Sequence, residues 1–467
     1  MRRLLLLATI LAALGCSSQD SRPNVIVIMV DTLRADYLGT YGFEGEISPN
    51  IDALAAESVQ FDNCIAQAPW TSPSIASFIT SLHAQNHCVA NGYGLFCEVI
   101  EDDEYAWETL PEEAVTMAEV FRDSGYETAG FVGNWVVKSK FGFAQGFDTY
   151  VEPQGDEQHI DEDRVLFDQA TEWLRQRRSG RPFLLHLHVM DVHAPYRLTP
   201  EGVTAVRNSP SLGKDRALTE QEIADRPVHL GARIRWPDPS MARRLRNWKV
   251  AYGAGVHGFD RQLGEFLEFL REEKVLDDAV IVFVSDHGEE FLEHGAWEHG
   301  KTYYNPALQV PLLLRLPGAE SAGQRVGRLV SLIDVMPTLL RLAGIEQALP
   351  PMQGQDLGPW ISGEGDTEEP WAFASALPEE TATIVAQNED LKLILDLETG
   401  AVELYDLVED PGEQRNIASE RDDLLDLMQQ KVQAHLESVG SFPSYRPTPT
   451  ELSEEDIEKL RSLGYVR

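Results

Sequence analysis

NVIVIMVD, residues 24–31, is a continuous apolar and β-branched run that ends in the carboxylate of Asp31. A run without polar alternation is typical of a strand buried on both faces, as in a parallel sheet. Further apolar runs indicate strands at 128–132, 182–190, 279–284 and 310–316. Helices are predicted at 51–57, 116–125, 161–178, 258–274 and 333–342. Strands that alternate with helices predict an α/β fold, with a large, mostly parallel sheet covered by helices.

Three of the predicted strands end in polar side chains of types that bind metal ions. Asp31 follows the first strand, Asp191 and His193 follow the strand at 182–190, and Asp286-His287 follows the strand at 279–284. In open parallel sheets, ligands bind beyond the carboxyl ends of the strands. A single Asp after a strand is usually a turn residue or a helix cap. The convergence of all three segments on one sheet edge is what predicts a functional site.

Thr71 stands where a helix is predicted to begin. Ser72 suits the N-cap and Pro73 suits the first helical position, and an apolar run from Ile75 to Leu82 follows. The positive end of a helix favours an anion, and a hydroxyl that attacks an anionic ester needs such a setting. Thr71 is therefore a candidate nucleophile, although its local sequence taken alone favours a residue that merely leads into a helix.

A divalent cation is the cofactor that these residues indicate. Asp31, Asp286, His287 and the Thr71 oxygen form a plausible set of ligands, and the cation would lower the pKa of the hydroxyl. Oxygen and imidazole ligands suit zinc or manganese, with magnesium or calcium as alternatives.

Other polar residues are candidates for contact with the substrate. Lys301, His299 and His193 could neutralise nonbridging oxygens or protonate the leaving group, and His294 is a lesser candidate. Asp191, His193 and His299 could also hold a second ion.

The net charge of the chain limits the classes of partner that it can bind. The 467 residues include 76 acidic and 39 basic side chains, for a formal net charge of −37. Nucleic acid and an anionic membrane surface both require a basic footprint, so the net charge argues against either as the main partner. A small anionic ester, or a lipid or glycan carrying one, would need a local positive centre.

Residues 1–22 are typical of an export signal. Arg2 and Arg3 precede a short apolar run at 4–14, and Ala13-Leu14-Gly15-Cys16 offers a cleavage site. The run is too short to span a bilayer. Cys16 resembles the lipidated cysteine of a bacterial lipoprotein, which predicts an exported protein of the cell envelope that meets the membrane only through this anchor. Plain secretion is the alternative.

The rest of the chain divides into three parts. Residues 23–345 carry the predicted α/β catalytic domain, 346–439 a small antiparallel C-terminal subdomain, and 440–467 a tail with one short helix. Polar stretches at 88–110 and 197–245 are predicted insertions, which form a lid or surface decoration. Export permits a Cys88–Cys97 disulfide, which leaves Cys64 as an odd thiol.

Several segments, in order, resemble the sulfatase family of the alkaline-phosphatase superfamily. The matching segments cover roughly residues 23–435 and are Val30–Asp36 (VDTLRAD), Ser48–Asp52 (SPNID), Ala68–Ser74 (APWTSPS), His188–Tyr196 (HVMDVHAPY), Ser285–Glu289 (SDHGE), His294-Gly295 with His299-Gly300, and Leu404–Leu407 (LYDL) with Asp410–Glu413 (DPGE). The resemblance implies an α/β sandwich with a small four-stranded C-terminal sheet. It assigns the metal to Asp31, Asp286 and His287, the nucleophile to Thr71, and substrate binding to His193.

The sequence also departs from the family's pattern. Sulfatases have a cysteine at the position of Thr71, which becomes formylglycine, and an arginine at the position of Ile75. Threonine cannot become formylglycine, so that mechanism is excluded. Thr32 replaces a frequent second aspartate, Gly300 stands at the lysine position between His299 and Lys301, and Asn305 replaces a frequent acid.

Three functions remain open from the sequence. The first is a metal-dependent hydrolase of sulfate or phosphate esters that uses Thr71. The second is a phosphoglycerol or phosphoethanolamine transferase that acts on an envelope lipid or glycan, because a Thr nucleophile resembles those enzymes. The third is a non-catalytic binding protein on the same scaffold.

Overall fold

A computed structural model describes residues 22–89, 106–152, 162–178, 180–194, 196, 199–213, 240–365, 368–376, 383–445 and 448–462. The strands are β1 (Asn24–Val30), β2 (Val59–Ile65), β3 (Ala106–Thr109), β4 (Glu127–Val132), β5 (Thr149–Val151), β6 (Phe183–Val189), β7 (Ala279–Ser285), β8 (Glu290–Phe291), β9 (Trp297–Glu298), β10 (Gln309–Arg315), β11 (Arg325–Ser331), β12 (Ala372–Ala376), β13 (Thr383–Gln387), β14 (Leu391–Asp396), β15 (Val402–Asp406) and β16 (Thr448–Glu451).

The described helices surround these strands. They are α1 (Pro49–Ala56), α2 (Thr71–Thr80), α3 (Ala84–His87), α4 (Met117–Asp123), α5 (Glu162–Gln176), α6 (Pro200–Arg207), α7 (Pro210–Gly213), α8 (Ser240–Glu272), α9 (Asn305–Leu308), α10 (Val335–Leu342), α11 (Gly358–Ile361), α12 (Asp422–Val439) and α13 (Glu454–Ser462). Within the described part of the chain, every helix is too short or too polar to cross a bilayer.

The large sheet has eight strands in the order β11-β2-β10-β7-β1-β6-β4-β5. β1 lies inside it and pairs in parallel with β6 on one side and β7 on the other. Only β10 runs antiparallel to its neighbours. The prediction of a large, mostly parallel sheet flanked by helices is confirmed.

β1 is buried on both faces, as its uninterrupted apolar sequence predicts. Val25, Val27 and Met29 contribute to one hydrophobic core, and their alternate neighbours contribute to the core on the other face. Successive side chains of a strand point to opposite faces, so an apolar residue is needed at every position of β1. The sheet is therefore the middle layer of a sandwich. The polar residues described below lie beyond the carboxyl ends of its central strands.

A second sheet, β12-β13-β14-β15, is antiparallel throughout, as predicted for the C-terminal subdomain. Ala374, Val385 and Ile394 join the main core. The opposite face packs beneath α12, where Leu393, Met428 and other apolar side chains form a separate cluster. The small sheet thus packs against the main hydrophobic core, in addition to its covalent connection to the large domain.

Several details differ from the sequence-based expectation. The predicted helix at 258–274 begins much earlier, as α8 spans Ser240–Glu272. The predicted tail supplies a strand as well as a helix, because β16 pairs antiparallel with β3. Cys88 is disulfide-bonded and Cys64 is a free, buried thiol. Cys97 lies outside the described residues, as do the export segment and most of both predicted insertions.

Candidate metal and nucleophile site

The parallel register of β1, β6 and β7 brings distant polar residues together. Val30 pairs with Val189 on one side and with Ser285 on the other, so the residues that follow these strands emerge at one sheet edge. Ligand atoms of Asp31, His188 and Asp286 all lie within 4.8 Å of one another, and all three residues are buried. This edge is where the sequence analysis placed the metal.

In each of the carboxylates of Asp31 and Asp286, hydrogen bonds hold one oxygen and leave the other without a donor among the described residues. Asp31 Oδ2 accepts a hydrogen bond from Asn134 Nδ2 at 2.7 Å, and Asp286 Oδ1 accepts from the amide of His287 at 2.9 Å. Asp31 Oδ1 and Asp286 Oδ2 are buried and accept no hydrogen bond from any residue that the structure describes. Buried carboxylate oxygens without a partner are costly, and a divalent cation would satisfy both. The donor set therefore fits a metal ion.

His188 is a candidate ligand that the sequence analysis missed. Its Nε2 lies 3.5 Å from Asp31 Oδ2 and 3.8 Å from Asp286 Oδ2. Burial lowers the pKa of His188, but the carboxylates of Asp286 and Asp31 outweigh this effect and raise it. The available signal was a histidine near the end of a mostly apolar strand, which pairs with the strand that leads into Asp31.

The charges of the cluster depend on each other. Burial raises the pKa of Asp286, but the imidazoles of His287 and His188 outweigh burial and bring the pKa below its ordinary value. The neighbouring imidazoles thus favour the ionised form of Asp286 inside the protein. An ionised carboxylate is the form that binds a cation.

Thr71 is fully buried and is the first residue of α2. Its Oγ1 lies 3.2 Å from His287 Nε2 and 3.4 Å from Asp31 Oδ2. The N-cap is Trp70 rather than the predicted Ser72, so Thr71 lies within the first helical turn. The structure therefore brings together Asp31, Thr71, Asp286 and His287, the residues proposed as metal ligands.

His287 is fixed in one orientation by its own turn. Its Nδ1 lies 2.9 Å from the Gly288 carbonyl oxygen, which can only accept a hydrogen bond, so Nδ1 carries the proton. Nε2 then presents a lone pair towards Thr71. Gly288 is required here because a Cβ atom would lie 2.1 Å from the Pro306 carbonyl oxygen.

Asn134 is a second residue that the sequence analysis missed. It follows β4 and donates to Asp31, and its Nδ2 also lies 3.4 Å from Thr71 Oγ1. Its Oδ1 accepts from the amide of Val136 at 3.0 Å, which fixes the side chain. An asparagine after a strand is common in turns, so its sequence context gave little indication of this position.

Two of the predicted substrate-contact residues line the adjoining wall. The rings of His193 and His299 lie 5.0 Å apart, and the rings of His287 and His299 lie 4.8 Å apart. Burial, with smaller effects of the neighbouring His287, His193 and Lys301, lowers the pKa of His299 well below its ordinary value. His299 is therefore neutral at physiological pH and offers a hydrogen bond rather than a charge.

A buried glutamate lies behind His299. Glu289 Oε1 is 3.7 Å from His299 Nδ1, and Glu289 Oε2 accepts a hydrogen bond from the Tyr196 hydroxyl. Burial raises the pKa of Glu289 to about 8. The group is thus protonated over much of the physiological range and adds little negative charge to the pocket.

The remaining predicted residues lie farther from Thr71. The Lys301 ammonium donates to the Trp297 carbonyl at 2.7 Å and to Glu298 at 3.0 Å, at the exposed rim. His294 contacts Glu290 and the Gly412 carbonyl, so it belongs to the contact with the C-terminal subdomain rather than to the reaction centre. Asp191 accepts a hydrogen bond from the Gln262 side chain.

Sequence comparison identifies the family. The family described as Sulfatase matches residues 23–345, and the one described as N-sulphoglucosamine sulphohydrolase, C-terminal, matches residues 292–440. The chain is 26% identical to an N-acetylglucosamine-6-O-sulfatase of Bacteroides thetaiotaomicron, over 87% of this chain and 86% of the relative. It is 24% identical to an arylsulfatase of Clostridium perfringens, over 85% of this chain and 90% of the relative.

Solved structures show the same fold. A phosphonate monoester hydrolase of Agrobacterium radiobacter superposes with a TM-score of 0.70 at 23% identity, covering 90% of this chain and 96% of that one. A protein solved with its substrate D-glucosamine-2-N,6-O-disulfate superposes with a TM-score of 0.69 at 20% identity, covering 90% and 98%. The predictions of the fold and of an ester-bond hydrolase are confirmed. Because the Sulfatase family matches residues 23–345, which is more than half of the sequence, the chain belongs to the sulfatase family.

Proposed function

We propose that this protein hydrolyses sulfate or phosphate esters, with Thr71 as a metal-activated nucleophile. The observation that carries the proposal is the position of Thr71 Oγ1, 3.2 Å from His287 Nε2 and beside the carboxylate of Asp31. The names of the sulfatase relatives and the family match support the reaction class. The threonine supports a covalent ester intermediate in place of chemistry on an aldehyde.

The proposed metal ligands are Asp31, Thr71, Asp286 and His287, with His188 added from the structure. A divalent cation bound there would lower the pKa of the Thr71 hydroxyl and offset the charge of the ester. Asn134 holds Asp31 Oδ2 and lies beside Thr71 Oγ1, so it fixes the direction of both oxygens. These residues position the nucleophile before the substrate arrives.

The chain's own residues account for both halves of the reaction. The Thr71 oxygen gives up its proton and forms a bond to sulfur or phosphorus, the bond from that atom to the alcohol oxygen breaks, and the alcohol leaves with the proton. His193 and His299 donate hydrogen bonds to the ester oxygens, and Lys301 adds positive charge at the rim. Water then attacks the same atom, releases sulfate or phosphate, and restores the Thr71 hydroxyl.

A substrate panel tests this proposal. Purified protein is assayed with matched sulfate monoesters, phosphate monoesters and phosphodiesters, as wild type and as Thr71→Ala. We expect Thr71→Ala to lower kcat/KM at least roughly a thousandfold on whichever ester is hydrolysed, since loss of a nucleophile removes the covalent route. Thr399→Ala, in an exposed turn of the C-terminal subdomain, is the matched control and should leave kcat/KM unchanged.

The outcome of the panel is decisive in either direction. Unchanged turnover by Thr71→Ala would refute the nucleophile assignment, and no turnover of any ester would refute the hydrolase. Product formation only after an alcohol acceptor is added would identify the transferase instead.

The cellular setting is also part of the proposal. The export signal and Cys16 lie outside the described residues, so the envelope anchor rests on the sequence alone. We propose an exported lipoprotein whose substrate is a small anionic ester, including an ester carried by a glycan. Labelling with a lipid precursor, in wild type and Cys16→Ser, tests this: label on wild type only supports the anchor, and label on neither contradicts it.

A further inference from the structure

The turn that follows β1 at the proposed metal site has a strained backbone. Thr32, next to Asp31, has a φ angle of +60°, in the left-handed region, and is fully buried. A β-branched residue rarely adopts a positive φ, because its side chain crowds the backbone. Strain of this kind persists only where the surrounding structure enforces it, and it is concentrated at functional sites. The contacts around Thr32 must therefore hold it in this conformation.

One of these contacts comes from Tyr252, a fully buried residue of α8. The Tyr252 hydroxyl donates a hydrogen bond to the Thr32 carbonyl oxygen at 2.7 Å and accepts one from the Arg34 amide at 2.8 Å. A phenolic hydroxyl has one hydrogen to donate, and here Thr32 receives it. The hydroxyl of Tyr252 thus joins two backbone groups of the turn and fixes the direction of the Thr32 carbonyl.

The Thr32 side chain makes a second contact. Its hydroxyl lies 2.7 Å from the Asp31 carbonyl oxygen and 3.0 Å from the Val192 carbonyl oxygen. Both carbonyls can only accept, so the Thr32 hydroxyl donates its hydrogen to this pair. Thr32 stands where the family has a frequent second aspartate, and in this chain the side chain ties the turn to the segment that follows β6.

The turn also places the Thr32 amide against the residue that follows β7. This amide donates to Asp286 Oδ1 at 3.3 Å, and the His287 amide donates to the same oxygen at 2.9 Å. Two amides on one carboxylate oxygen fix the rotation of the carboxylate, so that Asp286 Oδ2 is directed at the cluster of metal-binding groups. A change in the φ angle of Thr32 would turn this amide relative to the carbonyl that Tyr252 holds.

We propose that Tyr252 and Thr32 are positioning residues for the metal ion. Tyr252 holds Thr32 in its left-handed conformation, and the Thr32 amide then directs the carboxylate of Asp286. The inference rests on the proposed metal site and adds to it two residues that act through a ligand. Because this positioning precedes substrate binding, it sets the affinity of the protein for the metal rather than for the ester.

Equilibrium dialysis of metal-free protein against Mn²⁺, Zn²⁺, Mg²⁺ and Ca²⁺ in turn tests the role of Tyr252. We expect Tyr252→Phe to weaken binding of the ion that wild type holds most tightly by roughly tenfold or more, as is typical when a group that orients a metal ligand is lost. With metal at saturation, the KM for the ester should remain that of wild type.

Tyr126→Phe is the matched control. Tyr126 is also fully buried, and its hydroxyl donates to the Pro23 carbonyl at 3.1 Å, just before β1 begins and so at the opposite end of that strand. The control removes the same kind of hydrogen bond and should leave the metal Kd unchanged. Urea unfolding of both metal-free variants measures the loss of stability that each hydroxyl causes by itself.

Two substitutions of Thr32 separate its conformation from its hydroxyl. Thr32→Gly adopts a positive φ freely, whereas Thr32→Val keeps the branched shape and lacks the hydroxyl that holds it. We expect Thr32→Val to weaken metal binding and Thr32→Gly to keep an affinity close to that of wild type. In the double variant Tyr252→Phe/Thr32→Gly, glycine should restore most of the lost affinity, because it needs no contact to hold this conformation.

The results distinguish this inference from the proposed function. Equal metal Kd values for Tyr252→Phe and Tyr126→Phe, or equal losses in Thr32→Gly and Thr32→Val, would overturn the positioning role while leaving the metal site intact. If Tyr252→Phe does not fold, the two Thr32 variants decide alone. A wild type that binds none of the four ions would refute the proposed metal site itself.

Discussion

At the scale of single residues, the site depends on how closely neighbouring atoms constrain His287 and Thr71. Gly288 is the clearest case, because its amide donates to the Ala307 carbonyl at 2.8 Å and its Cα faces the Pro306 carbonyl. That contact orients the turn whose carbonyl holds His287 Nδ1. The sequence motif placed His287 at the site, but only the packing shows why the imidazole faces Thr71.

We predict that Gly288→Ala destabilises the protein, because the added Cβ would lie 2.1 Å from the Pro306 oxygen. Overpacking of this kind typically costs about 1–3 kcal/mol, and urea unfolding measures it. Gly258→Ala is the control, since no atom of the described part of the chain lies within 4 Å of the added Cβ. On a helix, that change should stabilise by about 0.5–1 kcal/mol. Equal effects of the two substitutions would contradict the packing argument.

Glu289 gives a second prediction, on the pH dependence of stability. Burial raises the pKa of Glu289 to about 8 in the folded protein, against about 4.3 in an unfolded chain. Between these values the folded state keeps a proton that the unfolded state loses, so the free energy of unfolding falls as pH rises. The slope is at most about 1.4 kcal/mol per pH unit for one group.

Unfolding of metal-free wild type and Glu289→Gln in urea, at pH 5 to 8, measures this contribution. Glutamine cannot ionise, so the stability of Glu289→Gln relative to wild type should increase with pH. Glu273→Gln, an exposed surface change, should show no such trend. A constant difference between Glu289→Gln and wild type would contradict the shifted pKa.

At the scale of elements, α9 connects the C-terminal subdomain to the catalytic turn. Lys392 Nζ of β14 forms an ion pair with Glu413 at 2.7 Å and donates a hydrogen bond to Asn305 Oδ1 at 2.9 Å, and the side chains of Lys392 and Glu413 are fully buried. The Asn305 amide donates to Glu413 at 2.7 Å. α9 begins at Asn305 and its next two residues contact Gly288, so the small sheet supports the turn that carries His287.

We predict that Lys392→Met destabilises the protein by about 3–5 kcal/mol, because it leaves Glu413 buried without its cation. The double variant Lys392→Met/Glu413→Leu should recover most of that loss, since neither buried charge remains. Thermal and urea unfolding of both single variants and the double variant complete the cycle. A double variant less stable than Lys392→Met would show that the pair matters for shape rather than for charge compensation.

The elements also show which parts of the fold the sequence could predict. β1, β4, β6, β7 and β10 each contain a buried, mostly apolar run and were predicted, because interior strands need apolar residues on both faces. β2 and β11 were missed. Their sequences, VQFDNCI and RVGRLVS, include polar or exposed positions and lie towards one side of the sheet, where partial solvation weakens the hydrophobic signal.

At the scale of the whole molecule, the residues that we propose for metal binding and catalysis lie together beyond the carboxyl ends of the central strands. Asp31, Thr71, Asp286 and His287 were predicted from strand ends and motif order, and the topology brings them together. His188 and Asn134 were not predicted, because each reaches the site only through the parallel pairing of β6 with β1 and β4. Their sequence contexts are those of a core strand and an ordinary turn.

The central claim is that Thr71 carries a covalent ester during turnover and requires a metal ion to form it. Acid-quenched protein, mixed with excess ester and analysed by intact-mass spectrometry and peptide mapping, tests this directly. We predict a sulfate or phosphate adduct on the peptide containing Thr71 in metal-loaded wild type, and its absence after chelation or in Thr71→Ala. Hydrolysis of the ester at full rate without an adduct on Thr71 would contradict the account. Full activity of the chelated protein would contradict it as well.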